Sequence, residues 1–336
     1  MNVPENEKMS APATMAIWIE SPRQAFSNWQ RARLLGPNGR GSFVARSNRQ
    51  YEAMFGRVCA WLESEGLAVN EMRPGDIAQF LKTIEGRDGS AADSTIRRYL
   101  TLLEKVFDHL KEIGAPVDSG NPARELLVLP DYRYREPPAP VFLDQNASRR
   151  YIEWVNLQPC FSWVGVRDKA LRTIFIASGV MVDEVRRLRV TDALITDARV
   201  TKLHIRAHLA GAHARAVPVP SWAWPALSDW YRLRRAIIAP TDALFLTRSA
   251  DFRIDEPGDS AVSSTEIYTI IQEAMVAIGH TGRRQGPQSL RHTFTARQLL
   301  AGAPKERIAE WLGLRTTESI SSVERQLPFR GDIHPV

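Results

Sequence analysis

The chain sets an arginine beside a histidine in Gln288-Ser289-Leu290-Arg291-His292, and runs on through Thr293-Phe294-Thr295-Ala296 to Leu312-Gly313. A guanidinium offers a rigid fork of donors that matches a phosphate bidentately, and an imidazole exchanges protons near neutral pH. Two further histidines, His208 and His213, flank Ala210-Gly211, where either would serve as a proton donor; exposed hairpin histidines more often have no specific task. A nucleophile is harder to find. The last tyrosine is Tyr268, upstream of Arg291, and the hydroxyls downstream are Ser319, Ser321 and Ser322. An alcohol needs an adjacent base to become a nucleophile, and the sequence sets none beside these serines. Cys59 and Cys160 stand far apart among apolar neighbours without metal-ligand spacing. Both are expected as buried, inert thiols, and no metal or cofactor site is expected.

The elements that must position these groups are mostly helical. Residues 1–14 are polar and aperiodic and are expected to be a disordered tail. Residues 15–35 read as a first helix, broken by Gly36-Pro37-Asn38-Gly39. Tyr51, Phe55, Val58 and Leu62 recur every three to four residues and predict a helix that Gly66 stops. Ile77, Phe80, Leu81 and Ile84 carry the next helix. Ile96, Leu100, Leu103, Phe107 and Leu110 carry a third, capped by Asp93-Ser94, and Asn121-Pro122-Ala123 opens a short last one. Residues 15–129 therefore read as one helical unit. Residues 130–140 (PDYRYREPPAP) are proline-rich and charged, and read as an extended linker.

A second unit is expected over residues 141–323. Its helices are placed at 167–177, amphipathic through Leu171, Ile174 and Phe175, then at 183–189 and 222–238. Ser263 and Glu266 form a capping-box pattern for one more, ending at Gly279. Strands at 200–206, 215–219 and 242–247 predict a small three-stranded sheet. Residues 324–336 are expected to form a short C-terminal tail without the length to dock on a neighbour. The fold class is mainly α with a small antiparallel β-sheet.

The 336 residues are long enough for two separate cores, and no apolar run reaches the length of a membrane span. The N-terminus carries no apolar signal-peptide core, so a cytoplasmic location is expected, nucleoid-associated when bound to DNA. Net charge is +6, and the isoelectric point is about 9.5. That balance favours a polyanion, nucleic acid before membrane surface. Many soluble proteins reach +6 without such a partner, and a GC-rich genome would also favour arginine over lysine.

The run from Gln288 to Gly313 resembles the C-terminal signature of the tyrosine recombinase (phage integrase) family. In that family a His-x-Leu-Arg-His run opens a helix, Leu-Gly-His or Leu-Gly-Trp follows, and the nucleophilic tyrosine comes about nine residues later. The resemblance extends over roughly residues 47–323, with a helical core-binding domain, a linker and a catalytic-type domain that close on DNA as a clamp. It implies a Tyr nucleophile, two phosphate-binding arginines, a lysine acid and two imidazole or indole donors. In Ser178-Gly179-Val180-Met181-Val182-Asp183-Glu184 the first arginine position is Met181. In Ala210-Gly211-Ala212-His213-Ala214-Arg215-Ala216-Val217-Pro218 the lysine position is Ala210. The first histidine is Gln288, the His/Trp position is Leu314, and the tyrosine falls at Val323. Arg291 and His292 remain, with Glu184 expected as a buried helix anchor.

The resemblance implies a catalytically inactive, DNA-binding member: an accessory or regulatory factor for site-specific recombination of a mobile element. Its partners would be double-stranded DNA, an active tyrosine recombinase, or further copies of itself on DNA, with no membrane. The DNA-contacting residues would be Arg291, His292, Arg97, Arg98, Lys105, Arg186, Arg187, Arg215, Arg283 and Arg284. A solvated helix face explains Arg97, Arg98 and Lys105 on their own, and the resemblance shifts them towards phosphate. The alternatives are an active recombinase with a rewired or partner-completed site, and a protein-interaction module that keeps only the fold. The composition break at residues 130–140 carries the first prediction. Limited trypsin digestion should cut near Arg133 or Arg135, and mass spectrometry of the two stable fragments would refute the boundary if they divide elsewhere.

Overall fold

The computed structural model describes residues 11–34, 45–85, 93–115, 120–132, 139–207, 213–248, 256–280 and 285–328. The chain divides into two compact units, Met1–Pro137 and Pro138–Val336. Of the expected tails, residues 1–10 and 329–336 lie outside the described residues, while residues 11–14 are helical. Among the described residues, no helix is long and apolar enough to cross a membrane.

The first unit is helical throughout. The single helix expected at 15–35 is two, α1 (Ala11–Glu20) and α2 (Pro22–Leu34). Pro22 has no N–H to give and disfavours helical geometry at Ser21, so the helix restarts there. The pair α1–α2 packs on α3 (Ala45–Glu65) through aromatic rings. Phe26 stacks on Phe55 at 4.4 Å, Trp18 meets both edge-on, and Trp29 stacks on His109 at 4.8 Å. Such pairs add about 0.5–1.5 kcal/mol each beyond the area they bury. Below them α4 (Pro74–Glu85) and α5 (Asp93–Glu112) bring Phe80, Leu81, Leu100, Leu103 and Phe107 into the same core.

The short α6 (Pro122–Leu127) is locked by Asn121. Its Oδ1 accepts from Arg124 N, and its Nδ2 donates to Glu104 O and Asp108 Oδ1, both at 2.8 Å. Pro130–Tyr132, assigned above to the linker, form a 3-10 turn with Tyr132 against the first core; residues 133–138 lie outside the described residues.

In the second unit, α7 (Gln145–Leu157) leads to α8 (Trp163–Ser178), which is buried nearly all round rather than amphipathic. It is packed by α7, by α10 (Trp224–Ala236), by α11 (Ser264–Ala277) and by α12 (Pro287–Leu300). A helix enclosed on most sides displays little polar surface, and its buried charged residues must be paired inside. Arg167, wholly buried, donates from Nη1 to Leu246 O at 2.7 Å and lies 2.7 Å from both Asp168 and Glu266 carboxylates. The Ser263–Glu266 capping box is therefore half formed. Ser263 Oγ accepts from Glu266 N at 3.1 Å, while the Glu266 carboxylate goes to Arg167 and Thr247. Burial pushes the Asp168 carboxyl up, against the pull of Arg167.

After α9 (Val182–Arg187) comes a three-stranded antiparallel sheet in the order β1 (Ala193–Thr196), β2 (Arg199–Ile205), β3 (Arg215–Pro218). Two of the expected strands are present. The third is not residues 242–247 but the four-residue β1, whose Leu194 and Ile195 are exposed. Within 242–247, Ala243 makes one bridge to Arg189, and β4 (Leu246–Arg248) pairs with β5 (Pro257–Ala261) in a separate ribbon. The proline and glycine of β5 hid it from a propensity reading. The last helices are α13 (Lys305–Leu312) and α14 (Glu318–Glu324), packed with α12 around a third cluster of Phe294, Ile308, Leu312, Ile320 and Val323.

The β1–β2 turn holds both Asp197 and Ala198 at positive φ, 50° and 58°. A two-residue hairpin of this hand demands it, and alanine tolerates it poorly. Ala198→Gly should stabilise the protein by about 1 kcal/mol, read as a raised midpoint in urea unfolding; a lowered midpoint would count against strain at this turn.

Candidate functional site

Helix α8 ends at Gly179 and α13 ends at Gly313, each in the left-handed conformation with φ of 61° and 66°. A helix C-terminus leaves carbonyls without partners and carries partial negative charge. Arg291, on the buried face of α12, answers both ends. Its Nη1 donates to Gly179 O and its Nη2 to Leu312 O at 2.7 Å. Arg215, on β3, donates from Nε to Trp311 O at 2.7 Å and sets Nη2 2.8 Å from Glu184 Oε1. The other Glu184 oxygen accepts the Met181 backbone N–H at 2.8 Å and so caps α9.

The cluster excludes water: the side chains of Arg215 and Glu184 are 8% and 1% exposed, and Arg291 is 7% exposed. Burial pulls the Arg291 pKa down to about 10, with Glu184 opposing and Arg215 adding to the fall. It remains a cation at neutral pH. Both glycines are also required by space. A Cβ on Gly179 would lie 2.5 Å from the Phe294 ring, and one on Gly313 would lie 2.8 Å from Arg215 Nη1.

The structure places two of the residues expected at DNA inside this junction. Arg215 is bound to Glu184 and to the Trp311 carbonyl. Arg291 donates one N–H from each Nη to a backbone carbonyl. Glu184 is the buried helix anchor that the sequence indicated. His292 is half-buried, with Nδ1 at 3.1 Å from Val141 O and Nε2 at 2.9 Å from Gln288 Nε2.

At the described positions that the sequence reading matched to the family's other catalytic residues, the side chains are as follows. Met181 is half-buried, and a thioether supplies no hydrogen for a developing oxyanion. Leu314 packs beside the third cluster, and Val323, 1% exposed, lies inside it. Ser321 Oγ has Lys305 Nζ at 3.4 Å, but that ammonium is held by Glu324 at 2.6 Å and acts as a donor, not a base. Ala210 and His208 lie outside the described residues, and His213 is exposed. The thiol expectation is half right: Cys59 is buried, its pKa pushed up to about 11 by burial, while Cys160 is exposed. Among the described residues no group of histidine, cysteine and carboxylates is placed to hold a metal.

The other arginines expected at DNA divide by exposure. Arg98, Arg186 and Arg187 are exposed; Arg97 and Lys105 are half-buried; Arg283 and Arg284 lie outside the described residues. Arg186 donates to Val262 O at 3.2 Å and stands 3.8 Å from Asp183. Arg186 and Arg187 line a cleft of about 350 Å³ together with Arg189 and Arg206, two arginines that sequence reasoning passed over. Arg189 pairs with Asp242 at 3.3 Å, Arg206 with Asp192 and Arg186 with Asp183, so the cleft's surplus positive charge rests on Arg187. The missed signal was the Arg-Arg-Leu-Arg run, whose third arginine falls beyond the helix end.

Comparison with known proteins gives concordant results. The sequence profile of the phage integrase family matches residues 143–323. The tyrosine recombinase XerC of Pelobacter propionicus is 28% identical over 243 residues, covering 71% of this chain and 72% of that protein. XerC of Chromohalobacter salexigens is 26% identical over 273 residues, covering 80% and 83%. Among solved structures, the XerH site-specific recombinase bound to palindromic difH substrate superposes with a TM-score of 0.64 at 15% identity, over 90% of this chain and 80% of that one. The Tn1549 transposon integrase in complex with transposon right-end DNA gives 0.61 at 14% identity, over 89% and 94%.

The buried cluster predicts a coupled pair. Arg215→Met strands the Glu184 carboxylate and should cost about 3–5 kcal/mol in urea unfolding. Adding Glu184→Gln to that variant should recover part of the loss; strictly additive costs would show that the two do not interact.

Proposed function

Since this chain belongs to the phage integrase family, we propose that it is a DNA-binding member that does not cleave DNA. On this reading it serves as an accessory or regulatory factor in site-specific recombination of a mobile element. One observation carries the proposal above the others: the position of the family's nucleophilic tyrosine is Val323, a core residue, and no tyrosine follows Tyr268. A shifted alignment cannot supply one. Met181 at the first arginine position and the commitment of Arg291 to two carbonyls support the same reading. Each lost transition-state donor is worth about 3–4 kcal/mol, so these losses together would reduce turnover below detection.

DNA affinity on this proposal comes from surface cations rather than from the former catalytic centre. Arg97, Arg98 and Lys105 on α5, and Arg186 and Arg187 at the end of α9, are the residues assigned to phosphate. Arg291 acts through the fold, so its loss weakens binding only as far as it loosens the second unit. Phosphate contacts release counterions and make affinity fall with salt. The XerH and Tn1549 proteins were solved with DNA, and carrying that property to this chain is part of the proposal.

Two measurements test it. Gel-shift affinity should fall by at least about tenfold between low and physiological salt, and Arg98→Ala with Arg187→Ala should flatten the dependence by about one unit of slope each. Salt-independent or absent binding would favour the interaction-module reading. Incubation with nicked suicide DNA should leave no covalent adduct. Val323→Tyr should not create one, and should lower stability by about 1–3 kcal/mol because a phenol overfills that core position. An adduct on the unmodified protein, alone or with a partner recombinase, would establish an active enzyme with a rewired site.

A further inference from the structure

The first described backbone of the second unit, residues 139–144, has no helix or strand of its own. Three consecutive residues of it are nevertheless fixed to α12. The carbonyl of Val141 lies 3.1 Å from His292 Nδ1, and a carbonyl accepts only, so the imidazole proton is on Nδ1. That leaves a lone pair on Nε2, and the Gln288 amide nitrogen, 2.9 Å away, donates into it. Phe142 packs its ring against the cluster of Phe294, Leu312 and Val323. Leu143 N–H donates to Thr293 Oγ1 at 2.9 Å, and that hydroxyl passes its own hydrogen to Ser289 O at 2.8 Å. Asp144 then caps α7 through Ala147 N, so the segment is held at both ends.

We propose that Gln288 and His292 form a polar clasp that fixes residues 141–143 to α12, coupling the entry of the second unit to the helix that carries Arg291. Gln288 and His292 are four residues apart and share one face of the helix, and Arg291 and Thr293 flank the imidazole. Gln288 fixes the imidazole's tautomer and orientation, and the imidazole fixes the backbone. An apolar side chain at 288 would remove this donor to Nε2. Gln288 is thus a positioning residue where the resemblance expects a catalytic histidine. The inference stands whether or not the chain binds DNA.

Native-state hydrogen exchange on the full chain tests the clasp, with the Leu143 amide as reporter and the buried amides of Ile174 and Phe175 in α8 as reference. Gln288 is exposed, so Gln288→Ala leaves the fold in place. It should speed Leu143 exchange by about 3- to 10-fold, the factor that one hydrogen bond is worth, without moving the α8 amides. His292→Ala should speed Leu143 further, and His292→Gln, which keeps a donor for Val141 O, should restore part of the protection. Unchanged Leu143 exchange in Gln288→Ala would overturn the clasp. So would a rise at Leu143 matched by an equal rise in α8, which would report global loosening instead.

Discussion

The second unit depends on how two cations and one carboxylate are buried together. Arg291 and Arg215 place their guanidiniums against the open carbonyls of two helix ends, and Glu184 lies between them while capping a third helix. Burying charge costs several kcal/mol per ion unless each is fully paired. Here the pairing is supplied by carbonyl dipoles that would themselves be left unsatisfied. The arrangement joins α8, α9, α12, α13 and β3 at one point. It also dictates glycine at 179 and 313, since any side chain there would strike the rings or guanidinium that fill the junction.

The same burial separates the roles of the arginines. Arg291 and Arg215 hold helix ends inside, while Arg187 is exposed. Arg187 stands on a cleft whose other arginines are paired with Asp183, Asp192 and Asp242. A chain that keeps the interior set and lacks the tyrosine keeps what the fold needs. Val323 fills a core position that a phenol would overfill.

The helix α8 is the centre on which the second unit is packed. It is surrounded by four other helices, and its one wholly buried cation, Arg167, binds β4 and α11 through Leu246 O and Glu266. The entry segment is fixed in turn through Thr293 and His292, neighbours of Arg291 on α12. Stability in this unit therefore comes from polar groups that reach between elements that are distant in sequence, over an apolar core common to all of them.

How much of this was legible in the sequence follows from the range of each interaction. The apolar spacing in α3 and α5 gave those helices, because a helix face is a local periodicity. The Gln288 to Gly313 run indicated the family. The absence of any tyrosine after Tyr268 needs no structure at all. Local signals misled where neighbours decided the outcome. The apolar side of α8 looked like one stripe, but four packing helices bury most of its surface, leaving Trp163, Gly165, Val166 and Lys169 half-buried. Glu266 matched a capping box, yet Arg167, 99 positions away in the chain, takes its carboxylate. β1 was too short, and β5 too rich in proline and glycine, to stand out before their partners were paired. Above all, nothing in the contexts of Arg291 and Arg215 shows what they hold inside the fold. Only the tertiary structure brings two helix C-termini and Glu184 to them, because those carbonyls come from elements far apart in the chain.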